Sequence, residues 1–183
     1  MERMEALNLV KKHTKNKNLI KHMVATEAVM GALARHCGAD VEAWRLAGLV
    51  HDLDYDETVE HPEQHGLLTA QRLQELDFPA EIIQAVRAHN ELLGHARISS
   101  MDQALYASDP VTGLIVAAAL IHPAKKLSAI DAQFVLNRFG EKHFARGASR
   151  EQIKACCQFG LSLEEFISIS LEAMQNASGE LGL

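Results

Sequence analysis

Apolar side chains recur at helical spacing along this 183-residue chain, and no window sustains the period-two alternation, rich in β-branched and aromatic residues, that a half-buried strand needs. That leaves helices and their connections, and an all-α fold is expected. From Lys17 to His36 the residues Ile20, Met23, Val24, Ala28, Met30 and Leu33 keep a helical period, and Gly38 supplies a stop. Asp40 can cap the next helix, VEAWRLAGLVHDL, in which Trp44, Ala47, Leu49 and Val50 form a broad apolar face and His51 and Asp52 arrive near the C-terminal end. A polar, irregular stretch from Asp54 to Glu63 leads to a helical pattern from Gln64 to Leu76, which Asp77-Phe78-Pro79 breaks. Pro79 opens EIIQAVRAHNELL, with Ile82, Ile83 and Val86 at core spacing and an end near Gly94. Ser100 with Gln103, Ser149 with Gln152 and Ser162 with Glu165 have the spacing of capping boxes, and the four prolines fall where helices begin or end.

No repeat, low-complexity tract or Pro/Gly-rich linker divides the chain, so one domain is expected over 1–183, with a core at roughly 17–122 and a helical extension at roughly 123–183. A formal net charge of −6 argues against non-specific nucleic-acid binding, which depends on a surplus of Lys and Arg to neutralise phosphates. The longest apolar run, Leu114 to Ile121, is far shorter than the roughly 20 residues of a membrane span. The charged N-terminus, MERMEALNLVKKH, lacks the apolar centre of a signal peptide, which predicts a cytoplasmic location. Cys37, Cys156 and Cys157 have no CxxC spacing and are expected as reduced, mostly buried thiols.

Ten histidines stand out, several beside acidic or amide residues: His22, His51-Asp52, His61, His65, His89-Asn90 and His95. Most lone histidines are hydrogen-bonded core or surface residues, so the weight falls on the set. His51 and Asp52 lie where an apolar helix passes into an acidic loop with Asp54, Asp56 and Glu57. A carboxylate buried there needs a partner, and a metal ion supplies one; a surface position is the plainer alternative. Asp109, between the helix LYAS and Pro110, has apolar surroundings too, although capping the next helix would also account for it. His61, before Pro62 in the acidic loop, reads as solvent-exposed, which favours His65 over it as a site residue. Lys125, Lys126, Arg138, Lys142, Arg146 and Arg150 form a local basic stretch; Lys126, and Arg146 beside Gly147, are its candidates for holding a substrate phosphate.

In their order, His22, His51-Asp52, His65, His89 and Asp109 resemble the H…HD…H…H…D progression of the HD-domain metal-dependent phosphohydrolase superfamily. The likeness covers most of the chain. Through AGLVHDLDYDET, PEQHGLLTAQRL, AVRAHNE and ALYASDPVTGLIVAAALIHPAKKL it is similar to the small bacterial HDIG-type predicted hydrolases. It implies an HD-domain helical bundle of about five core helices plus C-terminal helices, in which His22, His51, Asp52 and Asp109 converge on one metal ion. In relatives with two further histidines a second ion is held there and the HD aspartate bridges both, and His65 and His89 match those positions. Mixed imidazole and carboxylate ligands suit Fe, Mn, Co, Ni or Zn. Two departures stand out: many dinuclear relatives carry a double His where this chain has His89-Asn90, and the HDIG tetrad reads His51-Asp52-Leu53-Asp54. Asn90 could ligate through its carbonyl or hydrogen-bond a substrate oxygen, so one metal or two stays open. The expected activity is hydrolysis of a phosphate ester, a nucleotide or related small molecule, with Asp52, His65 and His89 as catalytic residues. A non-catalytic nucleotide-sensing module with a structural metal is the competing class, and a di-iron oxygenase would need more ligands than the chain offers.

Overall fold

A computed structural model describes residues 1–183 and contains helices, 3-10 turns and loops, with no strand. The helices are α1 (Arg3–His13), α2 (Lys17–Cys37), α3 (Val41–Val50), α4 (Tyr55–Thr58), α5 (Leu67–Glu75), α6 (Ala80–His89), α7 (Ser100–Ile121), α8 (Ala132–Phe139), α9 (Arg150–Lys154), α10 (Leu163–Asn176) and α11 (Ser178–Leu181). The longest two, α2 and α7, pack against each other; α3 lies on α2, α6 on α7 and α5 on α6, which gives five helices around the core within the expected segment.

The start of α3 follows the sequence closely. Gly38 closes α2 in the left-handed conformation and the Asp40 carboxylate accepts from the Glu42 and Ala43 amides. At Gly48 the two helices nearly touch: a Cβ there would lie 2.7 Å from the Thr26 carbonyl oxygen and 2.9 Å from the Glu27 nitrogen, so α3 can sit this close to α2 only without a side chain. One turn earlier, buried Glu27 of α2 accepts from Arg45 of α3 at 2.6 Å and from Arg3 of α1 at 2.9 Å, tying three helices together.

The C-terminal helices belong to the same core as the rest. Phe166, Ile167, Leu171 and Met174 of α10 join Met23, Met30, Leu33, Leu105, Leu114 and Ile115 in one cluster of buried apolar residues. The N-terminal segment, read above only as charged, forms α1 and buries Ala6, Leu7 and Val10, an i, i+1, i+4 stripe short enough to be lost among its charges.

Several expectations need correction. Asp109 and Pro110 do not separate two helices; α7 runs through them from Ser100 to Ile121, because Leu105 and Ala107 before the proline and Val111, Leu114 and Ile115 after it are all fully buried, and that packing overrides the local break. Asp109 therefore caps nothing. The capping box of α7 is Ser99 with Asp102, one residue earlier than Ser100 with Gln103, and the Asp102 carboxylate also takes the Ile98 amide. Ser162 with Glu165 forms a complete box, whereas Ser149 caps α9 without a reciprocal bond from Gln152. The helix expected from Gln64 starts at Leu67, after a 3-10 turn over Pro62–Gln64, and α6 stops at His89 with a second 3-10 turn, Glu91–Leu93, before left-handed Gly94. Of the three thiols only Cys156 is buried; Cys37, at the end of α2, and Cys157 are exposed. Counted as a whole helix, α7 is long and apolar enough by length and composition to cross a membrane, a length that counting uninterrupted apolar residues understated; 67% of its most apolar window is buried in the fold.

Since α10 shares the core, Phe166→Ala should destabilise the entire chain by about 3–5 kcal/mol, the cost of truncating a buried phenylalanine. Urea denaturation followed by circular dichroism should show one transition moved to lower concentration; a separate early transition with the main one unmoved would mean that the C-terminal helices fold on their own.

Candidate metal centre

The six residues of the H…HD…H…H…D progression arrive from five places. His22 lies in α2, His51 and Asp52 directly follow α3, His65 precedes α5, His89 ends α6 and Asp109 sits midway along α7. His22 Nε2 is 3.3 Å from His51 Nε2, 3.1 Å from Asp109 Oδ1 and 3.5 Å from Asp52 Oδ2. Asp52 Oδ1 is 3.3 Å from His51 Nε2, 3.2 Å from His65 Nε2 and 3.6 Å from His89 Nε2, and the last two nitrogens are 3.0 Å apart. The Asp52 carboxylate thus turns one oxygen toward His22 and the other toward His65 and His89.

Each imidazole is held by its outer nitrogen. His51 Nδ1 donates to the Gly48 carbonyl at 2.8 Å and His89 Nδ1 to the Val86 carbonyl at 2.5 Å, both three residues back in the chain. His65 Nδ1 donates to Asp54 Oδ1 at 2.8 Å. His22 Nδ1 lies 2.9 Å from the Thr112 hydroxyl, which gives its own proton to the Asp109 carbonyl at 2.9 Å and therefore accepts from His22. With every Nδ1 a donor, four Nε2 lone pairs and two carboxylates face one another, and acceptors at such separations repel unless positive charge stands between them.

That donor set fits a divalent ion. Bonds of about 2.1 Å bring neighbouring ligand atoms to roughly 3–4 Å from each other, and the ligand atoms of His22, His51 and Asp109, and those of His51, Asp52 and His89, lie within 4.8 Å of one another in each group. Both groups include His51, whose single free Nε2 can ligate only one ion at a time. Burial works to raise the Asp52 carboxyl, but the charge of His51 and hydrogen bonds from His65 and His89 hold it well below the usual carboxylate range; Asp109, likewise desolvated, is held low by His22. His51, fully enclosed and facing His22 and His89, is pushed down to about 4. Against its own desolvation His65, between Asp52 and Asp54, is pushed up to about 10, and His22 is raised beside Asp109. Left to the protein's own groups, the carboxylates draw a proton onto His65 and shift His22 in the same direction; a bound cation supplies that charge and frees the lone pairs to ligate.

Sequence reasoning passed over Asp54 by placing it in the acidic loop. It is fully buried, and besides His65 it accepts from the Gly66 amide at 2.8 Å and the Thr69 amide at 2.9 Å, so one carboxylate orients an imidazole and starts α5. The usable signal was its place in the tetrad after His51-Asp52. Gly66 is left-handed at φ 88°, and a Cβ there would lie 3.1 Å from the Val86 oxygen and 3.4 Å from His89 Cε1, which is how the His65 loop comes so close to α6. Thr112, three residues after Asp109 on one helix face, was also missed.

The remaining candidates lie outside the cluster. Asn90 donates to the carbonyls of Pro62 at 2.7 Å and His65 at 2.9 Å and accepts from the Leu92 amide at 3.1 Å; its amide pins the His65 loop with both N–H donors, and Oδ1 takes one bond there. His61 is exposed beside Glu63. Lys126 is exposed at the start of the 3-10 turn Leu127–Ala129 and is not among the residues lining the cavities around the cluster. Arg146 is exposed too, but its neighbours Ala145 and Gly147 line a cavity with His22 and Asp109. Arg150, counted with the basic stretch, instead donates to main-chain oxygens of that loop, among them Phe144 at 2.7 Å, Ala148 at 2.8 Å and Ala145 at 3.0 Å.

The HD domain family model matches residues 19–132, well over half of the chain. The chain belongs to the HD domain family. Membership puts it in a superfamily of metal-dependent phosphohydrolases, and the matched span contains all six residues of the cluster. Ribonuclease Y of Lawsonia intracellularis is 26% identical over 96 residues, which cover 52% of this chain and 18% of that protein. Ribonuclease Y of Nitratidesulfovibrio vulgaris is 32% identical over 78 residues, 42% of this chain and 15% of the relative. The alignments thus span less than a fifth of the relatives' length.

Two substitutions outside the ligand set should disturb it. Asp54→Asn offers one acceptor oxygen to three donors, and loss of such a supporting partner lowers metal affinity by about 10–100-fold; competition with a chelating dye would measure it, and unchanged affinity would deny Asp54 this role. Gly48→Ala forces α2 and α3 apart and should destabilise by about 1–3 kcal/mol, read as a lower melting temperature accompanied by weaker metal retention.

Proposed function

We propose that the chain is a hydrolase of small phosphate esters, such as a nucleotide or a related compound, working with one or two divalent ions held by the cluster. The convergence of four Nε2 lone pairs on Asp52 carries this reading. His22, His51, Asp52 and Asp109 would hold one ion, and Asp52, His65 and His89 a second. A divalent ion at such a site supplies Lewis acidity, activating water near neutral pH and countering the charge that builds on a phosphoryl group.

The chain's own residues divide the remaining work. Asp52, with an oxygen on each side of the cluster, orients the attacking water, and His65 and His89 face the same side for a second ion or the phosphate itself. His51 and His89, almost fully enclosed, anchor without meeting solvent, whereas the Asp109 side chain is 32% exposed and that of His22 22%. Substrate therefore enters at the His22–Asp109 edge, where a cavity of about 290 Å³ is lined by Asn16, Leu19, Tyr55 and Asp52 as well. A compact mouth and a net charge of −6 favour a small ester over a nucleic-acid strand, although the relatives' name, Ribonuclease Y, makes RNA the natural comparison substrate.

The purified chain, analysed for Fe, Mn, Co, Ni and Zn, should contain at least one of them and should hydrolyse members of a panel of nucleotides and simple phosphate esters once supplied with Mn or Fe. Asp52→Ala should lose both bound metal and turnover. Tight nucleotide binding without hydrolysis under any metal would favour a sensing module, and preferential cleavage of an oligoribonucleotide would replace the small ester with RNA.

A further inference from the structure

We propose that the cleft on either side of Gly113 receives the organic group of the substrate, and that the substrate is a phosphate ester of a compact, largely apolar or aromatic alcohol. This rests on the reading of the cluster as a phosphohydrolase centre. Three cavities share His22 as a wall. Besides the mouth over Asp52, one of about 330 Å³ lies between Asp109 and the Ala145–Ala148 loop, and one of about 400 Å³ lies between α2, α7 and the C-terminal Leu181 and Leu183. Gly113, like His22, lines both of these last two.

Gly113 is an odd residue to find there. It lies inside a 22-residue helix, where glycine is disfavoured relative to alanine. Its φ is not positive, and a Cβ built on it would meet nothing within 4 Å. Neither backbone conformation nor packing calls for glycine, so what a side chain would remove is the open space beside His22 and Asp109.

The larger cavity has the wall of a small-molecule site. Ala25, Val116, Leu120 and Leu181 make it mainly apolar, and Asn18 and Lys21 supply polar atoms. Its volume is near the lower end of the roughly 300–1,000 Å³ usual for such pockets. A nucleic-acid strand needs a cationic groove with stacking platforms, and this cleft offers one lysine and, apart from the His22 imidazole held in the cluster, no ring. An ester bound with its phosphoryl group at the cluster would extend past Asp109 and over Gly113 into the apolar cleft. In hydrolysis the water oxygen bonds to phosphorus, the P–O bond to the alcohol breaks, and a water proton passes to the departing alcohol oxygen; no other reactant is needed.

Gly113→Leu tests this, since leucine favours the helix and its Cβ meets no neighbour, and Val116→Phe narrows the cleft from a second position. With metal-loaded protein, the ratio of kcat/KM for 1-naphthyl phosphate to that for methyl phosphate should fall about tenfold or more in each variant, chiefly through KM, with metal content and melting temperature like those of the parent chain. An unchanged ratio, or a fall confined to an oligoribonucleotide, would overturn the assignment. If the parent chain hydrolyses neither ester, the proposed activity fails by itself, and calorimetric binding of 1-naphthyl phosphate then decides the pocket: binding lost in both variants upholds it, and equal or absent binding in all three proteins overturns it.

Discussion

The contact between α2 and α3 at Gly48 is the constraint on which the site depends. Bare backbone on one helix meets the Thr26 carbonyl on the other, and this brings His22 and His51 within 3.3 Å across the interface. The same Gly48 offers its carbonyl to His51 Nδ1, so one residue sets both the spacing of the helices and the tautomer of a ring between them. Thr26, fully buried, donates its hydroxyl to the His22 carbonyl, and the Glu27–Arg45 pair bolts the helices together one residue further on. Separation of these helices would weaken core and cluster together.

Burying Asp52 would by itself cost several kcal/mol. The fold answers with four imidazoles, none of which is free to rotate away. Two are pinned to main-chain carbonyls, one to Asp54 and one to a threonine that in turn bonds the main chain at Asp109. Such outer bonds matter as much as the inner atoms: a ring with its proton on Nε2 would donate to the centre and could not ligate there. The cluster is therefore prepared for a cation by residues that never touch one.

What the sequence made legible was the order of chemical residue types. His51-Asp52 at the end of an apolar helix, and histidines and an aspartate spaced along three others, could be read because ligands have to be His or Asp and helices have a period. What supports them could not be read, because it depends on separations between elements that no local pattern encodes. Asp54 looked like one acid in an acidic loop until Gly66, Thr69 and His65 closed over it. Asn90 looked like a substitute ligand, and a loop folded back across it takes both of its N–H donors, a structural task that no local pattern announced. Pro110 spoke locally for a break, and burial on both sides of it decided otherwise. The basic stretch likewise mixed residues of different kinds: Arg150 organises the loop at the cavity edge, Arg138 pairs with Glu141, and Arg146 stays exposed on the loop.

The continuity of α7 through Pro110 has a chemical consequence. Had the helix broken there, Asp109 would have been a cap with its carboxylate turned to main-chain amides. Because it continues, Asp109, Thr112 and Gly113 fall on neighbouring positions of one rigid element, and their relations are fixed by helix geometry. Asp109 meets His22 Nε2 while Thr112 meets the same ring at Nδ1, so α7 grips both nitrogens of the most exposed histidine of the cluster. One residue further along, the same helix presents open space. A partly exposed imidazole gripped at both ends can border a substrate channel without losing its place in the ligand set, and the long helix makes those two demands compatible.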